Sequence, residues 1–240
     1  MKKLNILIAA IAIASLSISS VFAGTWGMGV TASMLNVEGS GSETDRLTLA
    51  GADVTDTSVR KKTTDETTAT GSLFGEFTTD TRFPISLGFE YTPGTANFSD
   101  KLSRTDTETS QTGQEATTAI SNTRSAEADA TNFSTAYVEL TLVGPLYVRA
   151  GVSHMDIDYT TKSGTGGGSY TDSISLGGTN IGIGLKGVAG TNTTWKLAYE
   201  QTDYDGFSLR STGNSLAANS NAIKGDVDTN ALRFSLGKQF

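Results

Sequence analysis

The chain has 240 residues, 37% of them hydrophobic and 18% charged, with 27 Gly, 3 Pro and no Cys. The lack of cysteine excludes a disulfide framework, a thiolate metal site and a Cys nucleophile, and a formal charge of −7 with a pI near 4.7 argues against a nucleic-acid binder. Mean hydropathy is slightly negative, which excludes a bundle of membrane helices.

The first 23 residues read as an address. Lys2 and Lys3 precede an apolar stretch over residues 4–18, and Val21-Phe22-Ala23 carries the small-residue pattern that signal peptidase cleaves. A signal peptide over 1–23 and one mature domain over 24–240 are expected.

From there the chain alternates. Trp26, Met28, Val30, Ala32 and Met34 interleave with Gly27, Gly29, Thr31 and Ser33, a period of two that makes one face apolar and the other small or polar. The same period returns around Leu73 and Phe77, and over 85–91, 135–142, 146–153, 181–186, 195–200 and 232–240. That predicts eight strands. Short turns fall at Asp80-Thr81-Arg82, Val143-Gly144-Pro145 and Gly190-Thr191-Asn192, and long polar connections near 39–68, 93–131, 160–173 and 205–227. Long and short connections therefore alternate, with both termini on the short-turn side. An outer-membrane barrel has this layout; a secreted β-sandwich gives no reason for it. The fold class expected is all-β, a transmembrane antiparallel up-and-down barrel. Its apolar set must face lipid, because the other set carries the charges.

That inward set contains Glu76, Glu90, Glu139 and Glu200, balanced by Arg149, Lys186, Lys196 and Arg233. An eight-strand barrel is just wide enough for side chains to fill it, so a lumenal salt-bridge network that plugs the barrel is expected, with Glu139 and Arg149 as a cross-strand pair. An open, wet channel is the alternative. Trp26, Phe77, Trp195 and Phe240 near the short turns, and Tyr91, Tyr159 and Tyr204 near the long connections, are expected to form interfacial girdles. Residues 94–130 carry three bases and six acids among Thr, Ser and Ala, and Arg60-Lys61-Lys62 is the one basic cluster. This composition favours disorder or short hairpin extensions.

Three patterns invite other readings. Gly182-Ile-Gly-Leu-Lys-Gly187 satisfies G-x-G-x-x-G, but its glycines alternate with apolar residues in a predicted strand rather than opening a helix. Asp226-Val-Asp-Thr-Asn230 begins like a calcium loop yet has Ala231 and Gly237 where Gly and Glu are needed. His154 is the single histidine, and its neighbour Ser153 must point to the opposite face of the strand, so a serine partner would have to come from Ser173 or Ser175.

The signal peptide to Ala23, the eight strands, and a terminal Phe240 preceded at alternate positions by Leu236, Phe234 and Leu232 together resemble the small eight-strand group of Gram-negative outer-membrane barrels, which includes OmpA-type transmembrane domains, OmpX-type and opacity proteins. Leu232, Phe234, Leu236 and Phe240 match the terminal signal read by the barrel assembly machinery; Lys238 departs from it and is placed where a lysine can snorkel. The resemblance implies an outer-membrane location, contact with outer-membrane lipids and lipopolysaccharide, and assembly by that machinery. It is specific for fold and weak for activity. A structural or cell-surface role through the long acidic connections is expected, with an extracellular ligand that no motif names, and a narrow porin-like channel is the alternative. No enzyme activity, cofactor, metal or nucleic acid is expected, and a monomer is.

Overall fold

A computed structural model describes residues 23–48, 55–111, 117–162, 170, 173–210 and 222–240. The expected signal peptide, apart from Ala23, and the tips of the long connections lie outside these residues. Nine strands follow one another: β1 (Gly24–Thr48), β2 (Thr55–Thr79), β3 (Ile85–Gln111), β4 (Thr117–Thr141), β5 (Leu146–Lys162), β6 (Ser173–Ala189), β7 (Thr193–Tyr204), β8 (Phe207–Arg210) and β9 (Ala222–Gln239). From β1 to β7 each strand pairs antiparallel with the next, and β1 pairs with β9 to close the sheet. Both β7 and β8 pair with β9, at different heights, so they are two segments of one stave and the barrel has eight staves. The three short turns fall where the sequence places them, two of them with a glycine at positive φ, Gly144 at 57° and Gly190 at 67°.

The register fixes the barrel's stagger. The rungs run from Leu35 through Ala231, Glu200, Gly182, Arg149, Glu139, Ser86 and Thr78 and return to β1 at Thr25, ten residues below the start. Closed sheets need such a shear, and it tilts the strands to roughly 35–45°.

The two faces are inverted relative to a soluble protein. Met28, Val30, Leu73, Ile183, Leu232 and Leu236 point outward and are about half exposed, whereas Glu76, Glu90, Glu139, Arg149, Lys196 and Glu200 are buried inside. The belt on β1 runs from Trp26 to Met34, about 27 Å of strand at ~3.4 Å per residue, or roughly 20 Å of height at the usual tilt. Above it the polarity reverses. On β1 the outward row continues as Asn36, Glu38 and Ser40, level with Asn230, Asp228 and Asp226 on β9 and with Thr67, Asp65 and Thr63 on β2. Inside, at that height, Val37, Ala130, Met155, Ile157, Leu176, Tyr204 and Val227 form a buried apolar cluster.

Much of the length expected as loop is strand. β1 and β2 stay in register from Gly24–Thr79 up to Thr48–Thr55, and β3 and β4 from Ile85–Leu140 to Gln111–Thr117, with bulges between Thr92 and Leu102. These segments are rich in Thr, whose branched side chain suits a pleated surface. Where both sheet faces meet water no alternation is needed, so the period-two signal is absent. The neighbours β2 and β3, by contrast, share a ladder only from Thr78–Ser86 to Leu73–Tyr91. Above that rung each keeps its own hairpin partner and the wall has an open seam.

Candidate functional site

Period two sends alternate residues of every stave into the lumen, and the charged ones meet there. Arg149 (β5) donates from Nη2 to Glu90 Oε2 at 3.1 Å and from Nη1 to Glu200 Oε1 at 3.0 Å. Arg233 (β9) donates from Nη1 to Glu200 Oε2 at 2.6 Å and from Nη2 to Glu90 Oε1. Two guanidinium groups and two carboxylates thus close a four-membered ring across the barrel, tying β3, β5, β7 and β9 together. Ser72 also donates to Glu90, and Asn180 Nδ2 to Glu200 at 3.3 Å.

A second cluster lies nearer the short turns. Lys196 (β7) donates to both oxygens of Glu139 (β4), at 2.9 and 2.8 Å, and to Glu76 (β2) at 2.5 Å. Lys186 (β6) reaches Glu139 at 3.4 Å. Aromatic rings pack between the clusters: the Arg149 guanidinium lies 3.7 Å from the Tyr137 ring centroid, and Tyr137 Oη donates to Glu76 at 3.2 Å. Glycines leave room for these rings. A Cβ at Gly88 would stand 2.2 Å from Tyr137 Cζ, and one at Gly184 would stand 2.8 Å from the Tyr147 ring. Gly184 belongs to the G-x-G-x-x-G pattern, which lies within β6.

All eight charged residues singled out in the sequence therefore meet in the lumen, but the expected Glu139–Arg149 pair does not form. Glu139 and Arg149 are register partners across β4 and β5, as the turn at Gly144 dictates. Their side chains nonetheless bind elsewhere, Arg149 to Glu90 and Glu200, Glu139 to the two lysines. In so narrow a barrel the opposite wall is within reach of a long side chain, so adjacency in the ladder does not decide the partner. Lys186 and Lys196 are also register partners, and Glu139 lies between them.

The aromatics divide. Trp26 and Tyr91 point outward at opposite ends of the belt, Trp195 is half-buried, and Phe240 is exposed at the short-turn end. Lys238 Nζ lies 5.5 Å from the Phe240 ring, so its ammonium is carried to that end. Leu232, Phe234 and Leu236 are outward on β9. Phe77 falls on the outward row but is only 2% exposed, its ring 5.3 Å from that of Trp26. Tyr159 pairs with Ala128 in the ladder, and its side chain lies outside the described ones. Tyr204 is a correction: it is 6% exposed and part of the inner apolar cluster. It shares the parity of Lys196 and Glu200, not that of Trp195. The outward aromatic at that end of β7 is Tyr199, whose Oη donates to Asn230 at 3.0 Å in the row where the outer face turns polar. The inner apolar cluster went unread in the sequence, although Leu35 and Val37 break the β1 alternation at the same point.

Between the ring and the cluster lies a chamber of about 70 Å³. Its wall includes Ser33, Thr70, Thr92, Thr135, Thr202 and Thr229, its floor Glu90, Glu200 and Arg233, and its roof Leu35, Phe133 and Tyr204. Asn180 Oδ1, on this wall, has no protein partner among the described residues.

On the outer face, Ser175 Oγ donates to Asp156 Oδ1 at 2.5 Å, and His154 Nε2 lies 3.5 Å from the same oxygen. The serine proton is directed at a carboxylate rather than at the imidazole, so no nucleophile–base pair is formed. Ser153 points inward and bonds Thr135. No group of three or more metal-ligating side chains occurs among the described residues. Asp226 and Asp228 lie on a strand, at alternate positions, rather than around a loop.

No protein-family model and no curated protein matches the chain. Solved structures with a similar arrangement of strands include the outer membrane protein OprG from Pseudomonas aeruginosa, 13% identical, covering 91% of this chain and 97% of that one at a TM-score of 0.47. The outer membrane protein AlkL in lipid bilayers is 16% identical over 91% of each chain, at 0.37. The outer membrane protease OmpT from Escherichia coli is 11% identical, covering 90% of this chain and 97% of that one, at 0.38.

Proposed function

We propose that this chain is an integral outer-membrane barrel with a closed lumen, serving a structural or cell-surface interaction role through the hairpins that stand above its belt. The observation that carries this reading is the inversion of the two faces. An outer surface of half-exposed Met, Val, Ile and Leu around a buried charge network is unstable in water and stable in lipid. A closed sheet also pairs its backbone groups, as a bilayer requires. The reversal at Asn36, Asn230 and Thr67 marks the outer boundary of the hydrocarbon, and Tyr199, bonded to Asn230, lies against it as interfacial aromatics do. The terminal Leu232, Phe234, Leu236 and Phe240 would serve as the assembly signal, with lipid and lipopolysaccharide as the surrounding partners.

Two barriers close the lumen in this reading: the ring of Arg149, Arg233, Glu90 and Glu200, and the apolar cluster above it. The chamber between them favours one second reading, a narrow channel in which it is a hydrated way-station. Purified, folded protein in planar bilayers is expected to show no steady conductance. A steady conductance that survives proteolysis of the hairpins would replace the closed barrel with the channel.

A further inference from the structure

We propose that two copies of this chain join at the open seam between β2 and β3, each copy's β2 pairing with the other copy's β3 above the membrane. This rests on the membrane reading, which holds both copies in one orientation. The seam is the longest gap between neighbouring staves in the described wall, longer than the one between Ser173–Gly177 of β6 and β8: β2 has β1 alone as ladder partner from Thr55 to Ser72, and β3 has β4 alone from Thr92 to Gln111. Each strand therefore presents a row of backbone groups on one side without a ladder partner, and long regular edges of this kind pair with other chains. The β2 edge has charge as its protection, at Arg60, Lys61 and Lys62, and no backbone irregularity. It has no proline and stays in uninterrupted register with β1. The β3 edge carries Pro93 and bulges near its foot, but is regular from Leu102 to Gln111.

Strand direction selects the occupant. β2 and β3 run oppositely, so one foreign strand laid between them is antiparallel to one and parallel to the other. A second copy in the same membrane satisfies both, since its β3 is antiparallel to β2 and its β2 antiparallel to β3. The two junctions are related by a two-fold axis along the membrane normal, and such an isologous contact closes without forming fibres. The regular edges also differ in charge sign. Over 55–64, β2 carries Arg60, Lys61 and Lys62 against Asp56; over 102–111, β3 carries Asp106 and Glu108 against Arg104. Pairing unlike edges brings the basic segment to the acidic one. This departs from the monomer expected from the sequence.

The absence of native cysteine makes the test clean. Thr63→Cys with one tag and Ser103→Cys with another are co-expressed and oxidised in intact outer membranes. A covalent dimer carrying both tags is expected, several-fold more abundant than the Thr63→Cys homodimer, and reduced several-fold when Arg60, Lys61 and Lys62 are all changed to Glu. Failure to form the mixed dimer overturns the proposal, as does a double variant that forms an intrachain disulfide in a monomer, because the seam then closes on itself. Gel mobility without boiling separates the two readings: an unheated band at the unfolded position means that the membrane reading has failed, whereas a compact band without mixed dimer means that the dimer has.

Discussion

Replacing Arg149 with alanine is expected to destabilise the folded barrel by about 3–5 kcal/mol, the usual cost of removing one partner from a buried ion network. Arg149 donates to both Glu90 and Glu200, and each carboxylate is then left with Arg233 as its remaining guanidinium partner. Both carboxylates are almost fully covered, so only water in the small chamber beside them could replace the lost donors. The packing of the guanidinium on the Tyr137 ring is lost as well. The measurement is urea-induced unfolding of protein refolded into vesicles, followed by the fluorescence of Trp26 and Trp195. Lys224→Ala, at an exposed position above the belt, is the control and is expected to stay within about 0.5 kcal/mol. A loss below about 1 kcal/mol for Arg149→Ala would match an exposed ion pair instead and would mean that water fills the lumen around the ring.

Val30→Arg is expected to cost about 2–4 kcal/mol, although Val30 is 55% exposed. In a water-soluble sheet such a change at an exposed position is nearly neutral. Here Val30 lies at the middle of the β1 belt, between Leu73 and Leu236, and an arginine would have to enter hydrocarbon. Ser40→Arg, on the same strand face but above the reversal, is expected to change stability by less than about 0.5 kcal/mol. It lies in register with Asp226, which favours the new charge. Unfolding of both variants in the same vesicles gives the comparison. Equal, small effects would remove the lipid belt from the account.

How much of this is legible follows from where the period of two puts its apolar residues outward. Within the belt, strands must alternate apolar and polar residues, so Trp26 to Met34 and Leu232 to Leu236 announce their faces directly. The same alternation picks out the eight lumen charges. It does not reveal their partners, because pairing depends on reach across the barrel, as Glu139 and Arg149 show by being ladder neighbours without pairing. Above the belt the rule reverses. Leu35, Val37, Met155 and Ile157 point inward, as the proposed reading requires where water lies outside. Reading the whole chain with one rule therefore placed Tyr204 at the interface, and missed both the inner apolar cluster and the strand content of the Thr-rich hairpins. The open seam is not legible in the period of two, although Pro93 and the run Arg60, Lys61 and Lys62 are residue types that strand edges carry.

The central claim is that the outer face of the lower barrel lies in lipid and that the polarity reverses at one height. Single cysteines at Val30, Ile183 and Leu236, and at Glu38, Asp65 and Asp203, carry nitroxide labels in a chain with no other thiol. In bilayers, the first three are predicted to be accessible to oxygen and shielded from a water-soluble nickel chelate, and the last three to show the opposite. Free access of the chelate to all six positions would contradict the account.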